Sequence, residues 1–167
     1  VFSETAQTIE ISRLARQVSG HSLESVKDIS KSFFKDYYMP IDKECFIALM
    51  KEFGNIISLD YQPEFYKEQI QKYGDVETWA DSLFAKSVFA DESRIEILGE
   101  DYKEVLRNDP ASVYYIQMQN WALPHLNKAR AINRELQLAY RTYMRGQMDF
   151  APDRTVYYPD ANLTLRV

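Results

Sequence analysis

The chain contains two histidines and one cysteine, residue types from which nucleophilic active sites are commonly built. In a Ser-His or Cys-His pair, the imidazole lies beside a hydroxyl or thiol and removes its proton. His21 lies at a predicted joint between helices, where we expect exposure, and His125 follows Pro124 inside a predicted helix. Neither position indicates a catalytic or ligand role. The single Cys45 excludes an internal disulfide and cannot build a thiolate metal site.

The acidic residues give no stronger indication of a reaction. Asp91-Glu92 and Glu100-Asp101 are adjacent carboxylates, a pairing that can serve acid and base catalysis. Both pairs flank predicted helix ends, where capping and solvation explain them more simply. No Glu-x-x-His spacing occurs, and the five glycines stand singly rather than in a phosphate-binding loop. We therefore predict no catalytic, cofactor-binding or metal-ligating residue in this chain.

One aromatic cluster allows two interpretations. It comprises Phe33, Phe34, Tyr37 and Tyr38. These residues could line a groove for a peptide, because aromatic rings combine a large apolar face with, in tyrosine, a polar tip. We favour the simpler interpretation, in which they are core residues with an amphipathic rim.

The composition is that of one globular domain with a sizeable core. Of the 167 residues, 46% are hydrophobic and 27% charged, and the 12 Tyr, 9 Phe and 2 Trp argue against disorder. The net charge of −5 gives no electrostatic reason to expect a nucleic-acid partner. No apolar run approaches the roughly 20 residues of a membrane span, and no signal peptide is visible.

Hydrophobic periodicity and capping residues predict a series of helices, the longest near the end of the chain. This helix runs from Asp109, as its N-cap, through Pro110 at its first position to Gly146. Its apolar stripe consists of Val113, Ile116, Trp121, Leu126, Ala129, Ile132, Leu136, Ala139, Tyr140 and Tyr143. At about 50 Å it would exceed a compact globule of this length, about 40 Å across. We expect Pro124 to bend the helix and its end to reach something outside this chain.

Six shorter helices are predicted before the long one. Their limits are Thr5 to Ser19 with Gly20 as a stop, Ser22 as cap to Pro40, Asp42 as cap to Gly54 or slightly beyond, Pro63 to Gly74, Asp75 as cap to Val88, and Glu92 to Leu98 or onward toward Leu106. After Pro152 the pattern becomes extended, and the final residues, 163–167, alternate like a half-buried strand. Such a strand needs a partner for its backbone groups, and no second strongly strand-like run precedes it. We therefore expect a piece of a longer polypeptide.

These patterns predict an all-α fold class. A multi-helix domain, residues 1–150, carries one long C-terminal helix. An extended β-type tail, residues 151–167, follows it and belongs to a neighbouring lobe.

The tail also carries a motif of its own. The run from Val156 to Arg166 reads Val-Tyr-Tyr-Pro-Asp-Ala-Asn-Leu-Thr-Leu-Arg. It resembles the bacterial serine dipeptidyl peptidases grouped as the dipeptidyl-peptidase 7 and 11 family, at the return from helices into the second barrel. Residues 81–89 and 108–111 are similar to the same family, so that the resemblance covers most of the chain. Members are chymotrypsin-like double β-barrels with a large helical domain inserted between the lobes.

The resemblance implies a periplasmic or cell-surface enzyme that removes dipeptides from peptide N-termini. A Ser-His-Asp triad would attack the carbonyl, and the helical domain would cover the cleft. The partners of this segment would then be the flanking β-barrel lobes of the same polypeptide and the peptide substrate. No cofactor, nucleic acid or membrane span is implied.

The resemblance assigns none of the triad to this segment. The family's His and Asp would precede Val1, and its Ser would follow Val167. The serines that the chain itself offers lack the Gly-x-Ser-Gly context of that nucleophile; the main ones are Ser3, Ser19, Ser82 and Ser87. No residue for holding the substrate's amino terminus is carried over either.

Two other classes of function stay open. The chain could be an independent helical interaction module that grips a partner through its Tyr- and Phe-rich surface. It could also be an enzyme whose active site lies within these residues and follows no known pattern. An unpaired apolar strand would make a free-standing module prone to aggregate, so the tail favours the peptidase.

Overall fold

The computed structural model describes residues 9–150, and within them the predicted all-α fold class is confirmed. The helices are α1 (Glu10–Val18), α2 (Leu23–Phe33), α3 (Met39–Ile56), α4 (Glu64–Tyr73), α5 (Val76–Lys86), α6 (Glu92–Glu96), α7 (Tyr102–Asn108) and α8 (Pro110–Phe150), with a short 3-10 helix (Val88–Ala90) between α5 and α6. The β-type tail predicted at residues 151–167 lies outside the described residues.

Capping groups explain where several of these helices begin and end. The Oγ atom of Ser22 accepts a hydrogen bond from the amide of Ser25 at 3.4 Å, and Oδ1 of Asp75 accepts one from Thr78 at 2.7 Å. Both residues are caps predicted from the sequence, and both predictions are confirmed. Gly74 ends α4 with φ at +87°, a left-handed conformation that glycine adopts without steric penalty.

Three predicted limits are wrong. Asp42 does not cap α3, because that helix begins earlier, with Pro40 in its first turn, where a missing N–H loses no hydrogen bond. The helix predicted to end at Tyr37–Pro40 ends at Phe33, and Gly146 does not end α8, which continues beyond it. By contrast, α3 ends at Ile56, slightly beyond Gly54, as predicted. A glycine inside a helix costs only about 1 kcal/mol relative to alanine, so favourable neighbours on both sides outweigh it. The long helix is likewise continuous through Pro124.

The chain divides into two compact units, and the first extends to Leu126. Its core is centred on Phe46 of α3, which is fully buried. The Phe46 ring meets Trp79, Tyr114 and Phe84 edge to face, at 5.0, 5.3 and 6.2 Å between ring centroids. Such pairs contribute about 0.5–1.5 kcal/mol each beyond the burial of their area. The aromatic residues therefore lock α3, α5 and the start of α8 together.

The face that α8 buries in this unit is rotated from the predicted apolar stripe. Its buried residues are Ala111, Ser112, Tyr114, Tyr115, Met118 and Ala122. By contrast, Ile116 of the predicted stripe is 44% exposed, and Val113 is half-buried. The predicted stripe omitted Tyr114, which is fully buried and contacts Phe46 at the centre of the core.

The second unit begins at Asn127, and its described part, residues 127–150, is the C-terminal portion of α8. Its large apolar side chains are exposed rather than buried. Between 55 and 60% of the surface is exposed in Ile132, Leu136, Leu138, Tyr140 and Tyr143. None of the described helices, this portion included, is both long and apolar enough to cross a membrane.

Candidate functional site

The two histidines occupy unrelated positions in the first unit. His21 is exposed after α1, where its backbone carbonyl accepts a hydrogen bond from the Tyr102 hydroxyl at 3.1 Å. The His125 ring lies 5.3 Å from the Trp121 ring. Among the described residues, neither imidazole hydrogen-bonds a hydroxyl or a carboxylate, the arrangement that a triad requires.

Two of the serines considered as nucleophiles make hydrogen bonds that stabilise the fold. Ser87 Oγ is buried and donates to Oδ1 of Asp109 at 2.8 Å. Ser82 Oγ donates to the Tyr73 hydroxyl at 3.1 Å. Ser19 is exposed after α1, and Ser3 lies outside the described residues. No described serine hydroxyl is hydrogen-bonded to a histidine, the base that a Ser-His pair requires.

Asp109 is one of two buried carboxylates among the described residues of the first unit. It caps α8 as predicted, accepting from the Ala111 amide at 2.8 Å, and it also accepts from the Val88 amide at 2.7 Å and from Ser87. Burial raises the pKa of Asp109, and the hydrogen bonds from Val88 and Ser87 oppose that rise. The carboxylate is therefore a structural tie between the 3-10 helix and α8.

Asp42 is the second buried carboxylate, and it caps a helix other than its own. Its two oxygens accept from the amides of Glu10 at 2.8 Å and Ile11 at 3.1 Å, at the start of α1. The Tyr37 hydroxyl donates to the same carboxylate at 3.3 Å. Burial raises the pKa of Asp42, and burial and the nearby Asp42 charge raise the pKa of Tyr37. This long-range cap fixes α1 against α3.

Both adjacent carboxylate pairs lie at helix starts, as predicted, and Glu100 and Asp101 are exposed to solvent there. Asp91 caps α6, accepting from the amide of Ser93 at 3.0 Å and from its hydroxyl at 2.8 Å, and these bonds lower the pKa of Asp91. Asp101 precedes α7 without a side-chain cap bond. In residues 9–150 no three His, Cys, Asp or Glu side chains lie close enough together to hold a metal ion.

The aromatic cluster has the amphipathic character that the simpler interpretation predicts. Phe33, Phe34 and Tyr37 are half-buried against the core, with their ring centroids 4.7–5.5 Å apart. Tyr38 is 63% exposed. Phe33, Tyr37 and Tyr38 nevertheless border a groove of about 830 Å³, which we call the acidic groove.

Carboxylates give the acidic groove its charge. Among the described residues they are Glu10, Asp28, Asp36 and Asp42, against one cation, Arg13. That arginine forms an ion pair with Glu10, so it neutralises a charge that already belongs to the groove. The groove therefore suits a cationic or neutral ligand better than an anionic one.

A second groove, of about 720 Å³, has the opposite charge, and we call it the cationic pocket. Arg16, His21, Lys103 and Arg107 line it, and no carboxylate among the described residues does. Sequence reasoning missed it because Arg16 lies on α1 and the other two strong cations lie on α7. The available signal was the four-residue spacing of Lys103 and Arg107, which places both on one face of a helix.

The fold and these surfaces define a helical domain with no triad and no metal-binding cluster among its described residues. The model of the family Peptidase S46 matches residues 3–167, and the chain belongs to this family. The resemblance drawn from the tail and the two helical stretches is thereby confirmed.

Named relatives support the same family. The chain is 30% identical over 139 residues to an Asp/Glu-specific dipeptidyl-peptidase of Porphyromonas gingivalis, which covers 82% of this chain and 19% of the relative. It is 28% identical over 173 residues to a dipeptidyl-peptidase 7 of Porphyromonas endodontalis, covering 95% of this chain and 20% of the relative. The chain thus spans about a fifth of the length of these relatives.

A solved structure shares the fold. The crystal structure of Porphyromonas endodontalis DPP11 in complex with the dipeptide Arg-Glu aligns with a TM-score of 0.71 and 27% identity. The alignment covers 95% of this chain and 25% of that one. Helices α1 to α8 therefore correspond to a part of a larger enzyme of known structure.

Proposed function

We propose that this chain is the helical domain of a serine-type dipeptidyl peptidase that removes dipeptides from peptide N-termini. One observation carries the proposal: 95% of the chain aligns, at a TM-score of 0.71, with an enzyme crystallised with a dipeptide. The names of the relatives, Asp/Glu-specific dipeptidyl-peptidase and dipeptidyl-peptidase 7, support the same reaction class.

The role that we infer for the domain is steric rather than chemical. Its described serines and histidines are not paired for catalysis, so the triad would belong to the flanking β-barrel lobes. A helical body that covers the cleft would admit only a free end of a peptide chain, and only a short segment would pass the nucleophile. Covering the cleft would also exclude water from the reacting centre. The interlocked aromatic core around Phe46 supports this role, because a cover that limits access must be rigid.

The resemblance of residues 156–166 to the dipeptidyl-peptidase 7 and 11 family supports a periplasmic or cell-surface location for the parent enzyme. The β-barrel lobes of the same polypeptide would be the permanent partners of this domain. The peptide substrate would be its transient one.

The test is to replace residues 9–150 by a flexible Gly-Ser linker in the full-length enzyme. Products from a long unblocked peptide are then identified by mass, and a fluorophosphonate probe reports whether the serine nucleophile is still assembled. We expect the labelled, shortened enzyme to lose stepwise dipeptide release and to give fragments of other lengths. Unchanged release of successive dipeptides would overturn the steric role.

A second variant covers the case in which the shortened enzyme does not react with the probe. Phe46→Ala in the full-length enzyme loosens the core of the domain without removing it. Probe labelling should persist, while products longer than dipeptides appear. Probe-reactive Phe46→Ala enzyme that still releases dipeptides alone would contradict the proposal.

A second candidate function is an independent helical interaction module, and the acidic groove is the observation that favours it. The exposed ring of Tyr38 beside several carboxylates offers a surface for a basic or neutral peptide. Under this alternative the isolated chain binds such a peptide, and Tyr38→Ala abolishes binding. Under the peptidase proposal, Tyr38→Ala in the full-length enzyme leaves dipeptide release unchanged.

A further inference from the structure

The cationic pocket lies in the first unit, and a domain that only covers a cleft would not require it. We propose that it is a binding site for a peptide segment that carries a carboxylate beside an apolar side chain. The inference concerns this chain alone and does not depend on the peptidase proposal. Arg16, Lys103 and Arg107 would attract the carboxylate, and the floor of the pocket would hold the apolar side chain.

The first argument is that these cations are not neutralised. Among the described residues, Arg16, Lys103 and Arg107 take part in no ion pair. Other cations of the first unit do form ion pairs with carboxylates; these are Arg13, Lys43, Lys51 and Lys67. Residues 9–126 contain 13 Lys and Arg against 20 Asp and Glu. Arg16, Lys103 and Arg107 thus meet in a pocket that no carboxylate lines among the described residues, which is a local exception within an acidic body.

The second argument is the apolar floor. Leu106 of α7 and Tyr115 of α8 line the pocket and are 9% and 8% exposed, while Ile116 is 44% exposed at its edge. The hydroxyl-bearing residues Ser19 and Ser112 also line it. Apolar and charged groups side by side match a peptide better than a bare anion, because a peptide presents both kinds of side chain.

The third argument is that the pocket is poorly suited to phosphate. Phosphate sites typically use the free amides of a helix N-terminus. The amide of Ala111 at the start of α8 is already bonded to Asp109 at 2.8 Å. The C-terminal end of α1 also borders the pocket, and helix C-termini carry partial negative charge, which disfavours a doubly charged anion more than a carboxylate. The acidic body further disfavours a polyanion such as nucleic acid.

The experiment is a titration of the isolated ¹⁵N-labelled chain followed by amide chemical shifts. The probe is the peptide Ac-Gly-Leu-Asp-Leu-Glu-Gly-NH₂, and its control is the same peptide with Asn and Gln replacing Asp and Glu. We expect saturable shifts at residues around the pocket, with the control peptide at least about tenfold weaker, as expected when several charge-assisted hydrogen bonds are lost. Equal binding of the two peptides would overturn the proposal.

Matched variants locate the site. Arg16→Gln/Arg107→Gln removes two pocket cations and should weaken binding about tenfold, since exposed charge pairs are individually weak. Lys31→Gln/Lys35→Gln removes the same charge from exposed positions of α2 and the segment after it, outside both grooves, and should weaken binding less than about twofold. Equal weakening by both pairs would mean general electrostatic attraction and would overturn the assigned site. Inorganic phosphate serves as a third probe; saturable shifts with phosphate but not with the acidic peptide would overturn the ligand class.

Discussion

Residues 9–126 and residues 127–150 carry similar amphipathic helical patterns, yet the two regions use them differently. In the first, large apolar residues such as Phe46 and Trp79 are 0% and 2% exposed. In the second, Leu136 and Tyr143 are both 60% exposed. Removing apolar surface from water contributes about 25 cal/mol per Å², so packing stabilises the first region, whereas the second depends on local helix propensity. Helical periodicity therefore predicts the element and not its burial.

Charge separates the two regions as well. Residues 9–126 contain 13 Lys and Arg and 20 Asp and Glu, whereas residues 127–150 contain five and two. The net charge of −5 for the whole chain thus averages an acidic region with a basic one. Conclusions about partners are better drawn for each surface than for the chain.

The largest expected contrast is between two large apolar residues, one from each region. Phe46→Ala should lower the free energy of unfolding by about 3–5 kcal/mol, because it leaves a cavity among three aromatic rings. Leu136→Ala should change it by less than about 0.5 kcal/mol, because the side chain is exposed. Chemical denaturation of the two variants measures both values. Similar losses would show that residues 127–150 are packed as tightly as the core.

A second contrast concerns carboxylates. Asp109→Ala removes the acceptor for Ser87, Val88 and Ala111 and should cost about 2–4 kcal/mol of stability, since buried donors are left without partners. Asp149→Ala removes an exposed ion pair with Arg145 and should cost less than about 0.5 kcal/mol. Thermal unfolding of both variants tests the difference. A stable Asp109→Ala protein would mean that water replaces the lost acceptor.

The helices and some of their caps could be predicted because their signals are local. Ser22, Asp75 and Asp109 each act within a few residues of their position, as sequence rules assume. Asp42 was assigned wrongly because its carboxylate caps α1, 31 and 32 residues away, and no local pattern encodes such a contact. The buried face of α8 was displaced for a related reason: tertiary packing selected Tyr114.

Two helical glycines provide a third contrast. A Cβ atom at Gly54 would fall inside van der Waals contact with the Tyr66 hydroxyl, whereas one at Gly146 would meet nothing within 4 Å. Gly54→Ala should therefore destabilise the protein by about 1–3 kcal/mol, and Tyr66→Phe in the same chain should recover part of the loss. Gly146→Ala should strengthen its helix by about 0.5–1 kcal/mol.

Chemical denaturation measures the Gly54 variants, and amide hydrogen exchange across residues 127–150 measures the Gly146 variant. No recovery in the Gly54→Ala/Tyr66→Phe double variant would place the clash elsewhere. Slower exchange is the result expected of Gly146→Ala. Faster exchange would contradict the open surroundings of that position.

The smallest effect expected is a pH dependence that belongs to the first region. Burial raises the pKa of Asp42 above its ordinary value of 3.8, so the folded chain binds this proton more tightly than the unfolded chain. The free energy of unfolding should therefore fall, relative to Asp42→Asn, as pH rises from about 3.8 through the folded pKa. Urea denaturation of both proteins across acidic pH measures the difference. A free energy of unfolding that rises with pH relative to that of Asp42→Asn would contradict the raised pKa of Asp42.

The candidate surfaces could be predicted less well than the helices. A groove at the aromatic cluster was considered from the sequence, because Phe33, Tyr37 and Tyr38 lie close together in the chain, but the core interpretation was favoured and the acidic lining was not predicted. The cationic pocket was not foreseen, because its cations come from α1 and α7 and meet only in the folded unit. Surfaces assembled from distant segments require the tertiary structure.

The central claim, that this domain covers a catalytic site but does not contain one, is tested most directly by comparing the isolated chain with the full-length enzyme. Both are incubated with a dipeptidyl reporter substrate and with a fluorophosphonate probe. The account predicts that the full-length enzyme releases the reporter and becomes labelled, while the isolated chain does neither. Reporter turnover or covalent labelling of the isolated chain would contradict it.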